Sequence, residues 1–74
     1  MKVTVKLFAS LRKDRFEGET REFRENTTVG AVRERLRIDK SQRLIVLVNG
    51  IHAESDHILQ DGDTLAFFPP SGGG

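Results

Sequence analysis

The sequence predicts an α+β domain in which one helix covers one face of a four- or five-stranded sheet. Three observations predict it. Residues 2–8, Lys-Val-Thr-Val-Lys-Leu-Phe, alternate polar and apolar positions, the period of a strand with one buried face. Val29, Val32 and Leu36 recur at helical spacing behind Asn26-Thr27-Thr28. Two further apolar runs, 44–48 and 64–68, adjoin Asn49-Gly50 and Asp61-Gly62-Asp63, which are turn signals. A chain of 74 residues has room for one core.

Each element has its own signal. In the first strand Val3, Val5 and Leu7 share the inner face, and Phe8 falls on the polar side. Residues 9–18 read as a loop with a short helical turn, anchored by Leu11 and Phe16. Glu19 to Arg24 is a second strand with Phe23 inward, and it pairs most economically as a hairpin with the first. Thr28 is the predicted N-cap of a helix of about ten residues. Gly30 within it costs roughly 1 kcal/mol relative to alanine, so a close approach to the sheet is one explanation. Leu44-Ile45-Val46-Leu47-Val48 predicts a strand with both faces covered. Ile51 to Ala53 is a short return strand. Asp56-His57-Ile58-Leu59 reads as one helical turn plugging the core. Thr64 to Phe68 is the last strand, with Phe67 and Phe68 on opposite faces. One helix cannot cover both faces of such a sheet. Apolar surface therefore stays open for a partner, unless loops 9–18 and 49–63 fold over it.

Composition excludes several functions. The chain has no cysteine, which removes disulfides, thiol chemistry and zinc-thiolate sites. Charged residues make up 31% of the chain, but the net charge is +1, without the basic stripe of a nucleic-acid binder. No membrane-length apolar run or signal-peptide pattern is present, so the expectation is a soluble cytoplasmic protein with neither nucleic acid nor membrane as partner. His52 and His57 lack metal-ligand spacing, and Asp61 and Asp63 lack the rest of a calcium loop. No serine has an obvious base, and no glycine-rich phosphate loop precedes a helix. No metal site or catalytic residue is predicted.

What remains is the end of the chain. Pro69-Pro70 stops the last strand and stiffens its exit. Ser71-Gly72-Gly73-Gly74 then forms a flexible tail of 71–74 after a domain of 1–70. Fully extended, the tail reaches about 14 Å, and its glycines fit a passage too narrow for other residues. One reading is a frayed terminus. The other is that the Gly74 carboxylate works in another protein's active site.

The stretch from Asp56 to Pro70, with its Asp-Gly-Asp turn and Phe67-Phe68-Pro69-Pro70, followed by terminal Gly73-Gly74, resembles the MoaD/ThiS family of sulfur carriers. So does Leu7-Phe8-Ala9-Ser10-Leu11-Arg12. The resemblance covers nearly the whole chain and lies nearest the molybdopterin synthase small subunit, MoaD. It implies a β-grasp, ubiquitin-like fold with a mixed sheet and a free glycine-rich tail. It also implies that an E1-like enzyme adenylates Gly74 with ATP and magnesium. A sulfur donor (persulfide or sulfide) then leaves a thiocarboxylate. The chain would bind no cofactor and would not be an enzyme on its own. Its sulfur would go to the molybdopterin dithiolene through the large synthase subunit. Phe8, Arg12, Phe68, Pro69 and Pro70 would form the docking face, and Ser71, Gly72, Gly73 and Gly74 would enter the partner's channel.

The sequence departs from the pattern at Ser71, where the molybdopterin branch has valine, and at Gly72, which makes a third glycine. The helical region is short, and His52 stands where an apolar docking residue is expected. Alternatives are a carrier serving thiazole synthase in thiamine synthesis, a ubiquitin-like modifier joined to lysines through Gly74, and an interaction module with an inert tail.

Overall fold

The computed structural model describes residues 1–70; the tail expected at Ser71–Gly74 lies outside the described residues. The strands are β1 (Lys2–Leu7), β2 (Gly18–Glu22), β3 (Ile45–Val48), β4 (Ile51–His52) and β5 (Thr64–Phe68), with one helix, α1 (Val29–Arg35), between β2 and β3. A 3-10 turn, Ala9–Arg12, follows β1. The five strands form one sheet in the order β2-β1-β5-β3-β4. β1 pairs antiparallel with β2, as the alternation predicts, and parallel with β5. β3 lies antiparallel to both β5 and β4. This mixed sheet with one helix on one face is the β-grasp arrangement. No helix among the described residues is long and apolar enough to cross a membrane.

The period of two sorts the side chains. Val3, Val5 and Leu7 of β1 and their β5 neighbours Leu65 and Phe67 are fully buried on the helix side. Val29 and Val32 meet them from α1, and Leu11, Phe23, Ile38, Val48 and Leu59 complete the core. β2 ends one residue before Phe23, which is buried where its N–H donates to the Met1 carbonyl at 2.8 Å.

The helix start is secured at three consecutive donors. Thr28 Oγ1 accepts from the Ala31 N–H at 3.1 Å, the predicted cap. The Val29 N–H donates to the His57 carbonyl at 3.0 Å, and the Gly30 N–H to the Ser55 carbonyl at 2.8 Å. Gly30 is thereby explained, by a loop rather than by the sheet. A Cβ at this position would lie 3.1 Å from the Ser55 oxygen.

Three expectations change. The helix has seven residues rather than about ten, because Arg37 turns left-handed at φ 58° and ends it. The Arg37 N–H bonds to the Glu34 carbonyl at 3.0 Å and the Ile38 N–H to the Arg33 carbonyl at 3.3 Å, closing a Schellman motif. Residues 56–59 are not a helical turn. Ile58 makes an isolated bridge to Thr28 and is 47% exposed, so only Leu59 plugs the core. Finally, β3 is not covered on both faces: Ile45 is 39% exposed, because the 53–59 segment packs against the start of the helix instead of the open face.

Candidate functional site

The open face of the sheet carries the predicted docking residues together. Ladder partners point to the same side, so Lys6, Ala66, Leu47 and His52 form a row across four strands. Phe68 pairs with Ile45 in the next row. Phe8, one residue past β1, donates its N–H to the Phe67 carbonyl at 3.2 Å, which sets it beside Phe68. The two rings stack with centroids 4.2 Å apart and planes 10° from parallel. Phe8 is therefore not an isolated surface aromatic.

Arg12 caps this stack. Its guanidinium sits over the Phe8 ring at 5.4 Å from the centroid. The 3-10 turn presents Arg12 there, and its Nε donates to the Leu7 carbonyl at 2.8 Å. Glu17 lies 3.7 Å from the same guanidinium in an exposed ion pair, which contributes little to stability. The result is a cation–π layer on an aromatic pair, both half-buried rings remaining partly open to solvent.

This surface stands at the exit of β5. Pro69 is half-buried and Pro70 exposed. Pro70 borders a groove of about 390 Å³ with Arg33, Gln42, Arg43, Leu44 and Ile45. β5 is the middle strand, so the segment leading to residues 71–74 starts from the most enclosed part of the sheet. The predicted tail residues Ser71, Gly72, Gly73 and Gly74 lie outside the described residues.

Sequence reasoning left apolar surface on the uncovered side but did not name Ile45 and Leu47 among the residues of this face. The signal was available: a continuous apolar run in a sheet with one helix must send alternate residues to the uncovered side. It also missed Arg15, whose Nε donates to the Leu36 carbonyl at 3.2 Å and whose Nη2 donates to that of Arg37 at 3.3 Å, tying the first loop to the helix end. His52 lies on the open face through its pairing with Leu47, and His57 is exposed beyond β4. Among the described residues no group of three potential metal ligands converges. One carboxyl is shifted. Asp39 is held below its ordinary value by hydrogen bonds from the Ser41 N–H and hydroxyl, helped by the charge of Arg33.

Solved structures with this shape are small ubiquitin-like proteins. SAMP1, small archaeal modifier protein 1 from Haloferax volcanii, aligns over 100% of both chains at 27% identity with a TM-score of 0.83. A Pyrococcus furiosus chain described as molybdopterin converting factor, subunit 1, is 28% identical over 95% of this chain and 98% of its own, with a TM-score of 0.80. A chain from the complex of subunits 1 and 2 of the molybdopterin-converting factor of Helicobacter pylori shares the fold at 20% identity and a TM-score of 0.68, covering 100% of both chains. A search of curated protein sequences finds no match. The ThiS family model matches residues 5–74, a span that takes in the aromatic stack, the prolines and the glycines. The chain belongs to the ThiS family of ubiquitin-like sulfur carriers.

Proposed function

We propose that this chain carries sulfur on the carboxyl group of Gly74 and delivers it to the molybdopterin dithiolene as the small subunit of a molybdopterin synthase. A carboxylate is a poor electrophile. An E1-like enzyme uses ATP and magnesium to join it to AMP, which is a good leaving group. Sulfide displaces AMP and leaves the thiocarboxylate directly; a persulfide donor displaces AMP to give an acyl disulfide, which a second thiol of the donor or a partner cleaves to the thiocarboxylate and a disulfide. The chain itself supplies a docking face and a narrow tail rather than catalytic groups. The observation that carries this reading is the family match, which runs through the terminal glycines. The Phe8–Phe68–Arg12 stack beside Pro69 supports it as the surface that seats the large subunit while Ser71 to Gly74 enter the channel. The likeness to the Pyrococcus furiosus subunit 1 supports molybdopterin over thiazole as the acceptor.

A second reading has its own support. The likeness to SAMP1 over both whole chains favours a modifier that forms isopeptide bonds with lysines through Gly74. One experiment separates the readings. The chain purified from its native cell is weighed intact and probed for larger conjugates. A carrier shows the mass of one oxygen-to-sulfur replacement; a modifier shows lysine-linked products. The thiocarboxylated protein is then mixed with a molybdopterin synthase large subunit and the pterin precursor. Formation of the dithiolene supports the first reading, and its absence removes molybdopterin as the acceptor.

A further inference from the structure

The turn between β3 and β4 holds a chemically labile pair. Asn49 and Gly50 both have positive φ, 52° and 81°, and form the two-residue turn whose twist suits a hairpin. In any Asn-Gly pair the glycine nitrogen has no adjacent side chain to hinder its attack on the asparagine side-chain carbon. Here that side chain is held at both ends. Nδ2 donates to Asp63 Oδ1 at 2.8 Å, and Oδ1 accepts from the Thr64 N–H at 2.9 Å. A backbone N–H can only donate, which fixes the orientation of the amide. Asp63 is itself buried, and its second oxygen accepts from the Gln60 N–H at 2.8 Å.

We propose that Asn49 is a deamidation site latched shut by Asp63 and Thr64, and that its product disrupts the β3–β4 end of the sheet. In the step, the Gly50 nitrogen bonds to Asn49 Cγ and ammonia leaves, carrying the nitrogen's proton. The resulting succinimide is opened by water to aspartate or isoaspartate; nothing is oxidised or reduced. Aspartate replaces the N–H donor with a carboxylate facing the Asp63 carboxylate, and like charges at that separation repel, whereas isoaspartate loses the donor because its Cγ becomes the peptide carbonyl to Gly50. Isoaspartate also adds a methylene to the backbone of a two-residue turn, which shifts the strand register. The hairpin presents Leu47 and His52 to the open face, so the modified chain loses part of that surface.

The test follows ammonia loss from the full chain by intact mass, with peptide mapping to locate it. The chain is incubated folded and in urea at the same mildly alkaline pH. In urea, loss begins at Asn49 ahead of Asn26. In the folded chain, loss at Asn49 is about tenfold slower or more, because the latch must open first. Asp63→Ala removes most of that protection while circular dichroism still reports a folded chain. Equal rates in the folded and unfolded chain overturn the proposal, as does loss in urea that begins at Asn26 rather than at Asn49. Isomerisation at Asp61-Gly62 changes no mass and does not interfere. If Asp63→Ala does not fold, Asn49→Asp is compared with Asn49→Gly, since both tolerate positive φ. The aspartate variant melts at the lower temperature; an equal or higher melting temperature overturns the repulsion between positions 49 and 63.

Discussion

Arg37 occupies a left-handed backbone position that glycine adopts without penalty. Arg37→Gly is therefore expected to stabilise the chain by about 0.5–1 kcal/mol, read from the midpoint of a denaturant titration. The opposite logic holds at Gly30. Helix propensity alone predicts a gain of about 1 kcal/mol for Gly30→Ala. The new methyl group would press on the Ser55 carbonyl and stretch the hydrogen bond that the Gly30 N–H donates to it. A loss of stability is the expected outcome, and the same titration checks it. Asp39 supplies the pH dependence at this scale. Its folded value is depressed, so its contribution is present above the ordinary aspartate range and disappears as pH falls through the folded value. Asp39→Asn should flatten the acid limb of a stability–pH curve without moving its neutral plateau by much, since the group is exposed.

The elements were legible to different degrees, for physical reasons. β1 declared itself because its two faces meet different surroundings, and a period of two records that contrast. The N-cap at Thr28 was legible because a hydroxyl before an apolar periodic run has a local job. The helix end was hidden, because arginine sits where glycine would have announced a stop. The 56–59 segment was misread because Ile58 and Leu59 mimic a helical plug. Their backbone groups instead bond to residues 27–29, a pairing remote in sequence that no local pattern records. β3 was misread because a run apolar on both sides fits a doubly covered strand as well as one with an exposed apolar face. Only the register, Ile45 with Phe68 and Leu47 with Ala66, shows which. Of the candidate site, Phe8, Arg12 and Phe68 came from the resemblance and now lie within one stack. The strand parity put Phe8 on the uncovered side without it. The stack makes a prediction of its own. Phe68→Ala should weaken partner binding by about 1–3 kcal/mol if the ring is a buried interface anchor. A double-mutant cycle with Phe8→Ala should give a stability coupling of about 0.5–1.5 kcal/mol, measured in the free protein by chemical unfolding.

At the scale of the whole molecule, the single helix shapes the other face as well. With one side of the sheet committed to Val29 and Val32, the other keeps apolar and aromatic side chains at the surface, rimmed by Lys6, Arg12 and His52. On the proposed function, deleting Gly74 should abolish turnover by the partner enzyme while leaving the melting curve unchanged. Retained turnover would remove both the carrier and the modifier readings. The parallel pairing of β1 with β5 has a mechanical consequence. A pull applied at Met1 and at Pro70 draws these adjacent strands in opposite directions along their length. The hydrogen bonds from Thr4–Thr64 to Leu7–Phe67 then bear the load together, in shear, instead of opening one at a time like a zip. The chain should therefore resist end-to-end stretching far better than its modest size suggests. An unfolding machine that pulls on the chain beyond β5 has to break the middle of the sheet first.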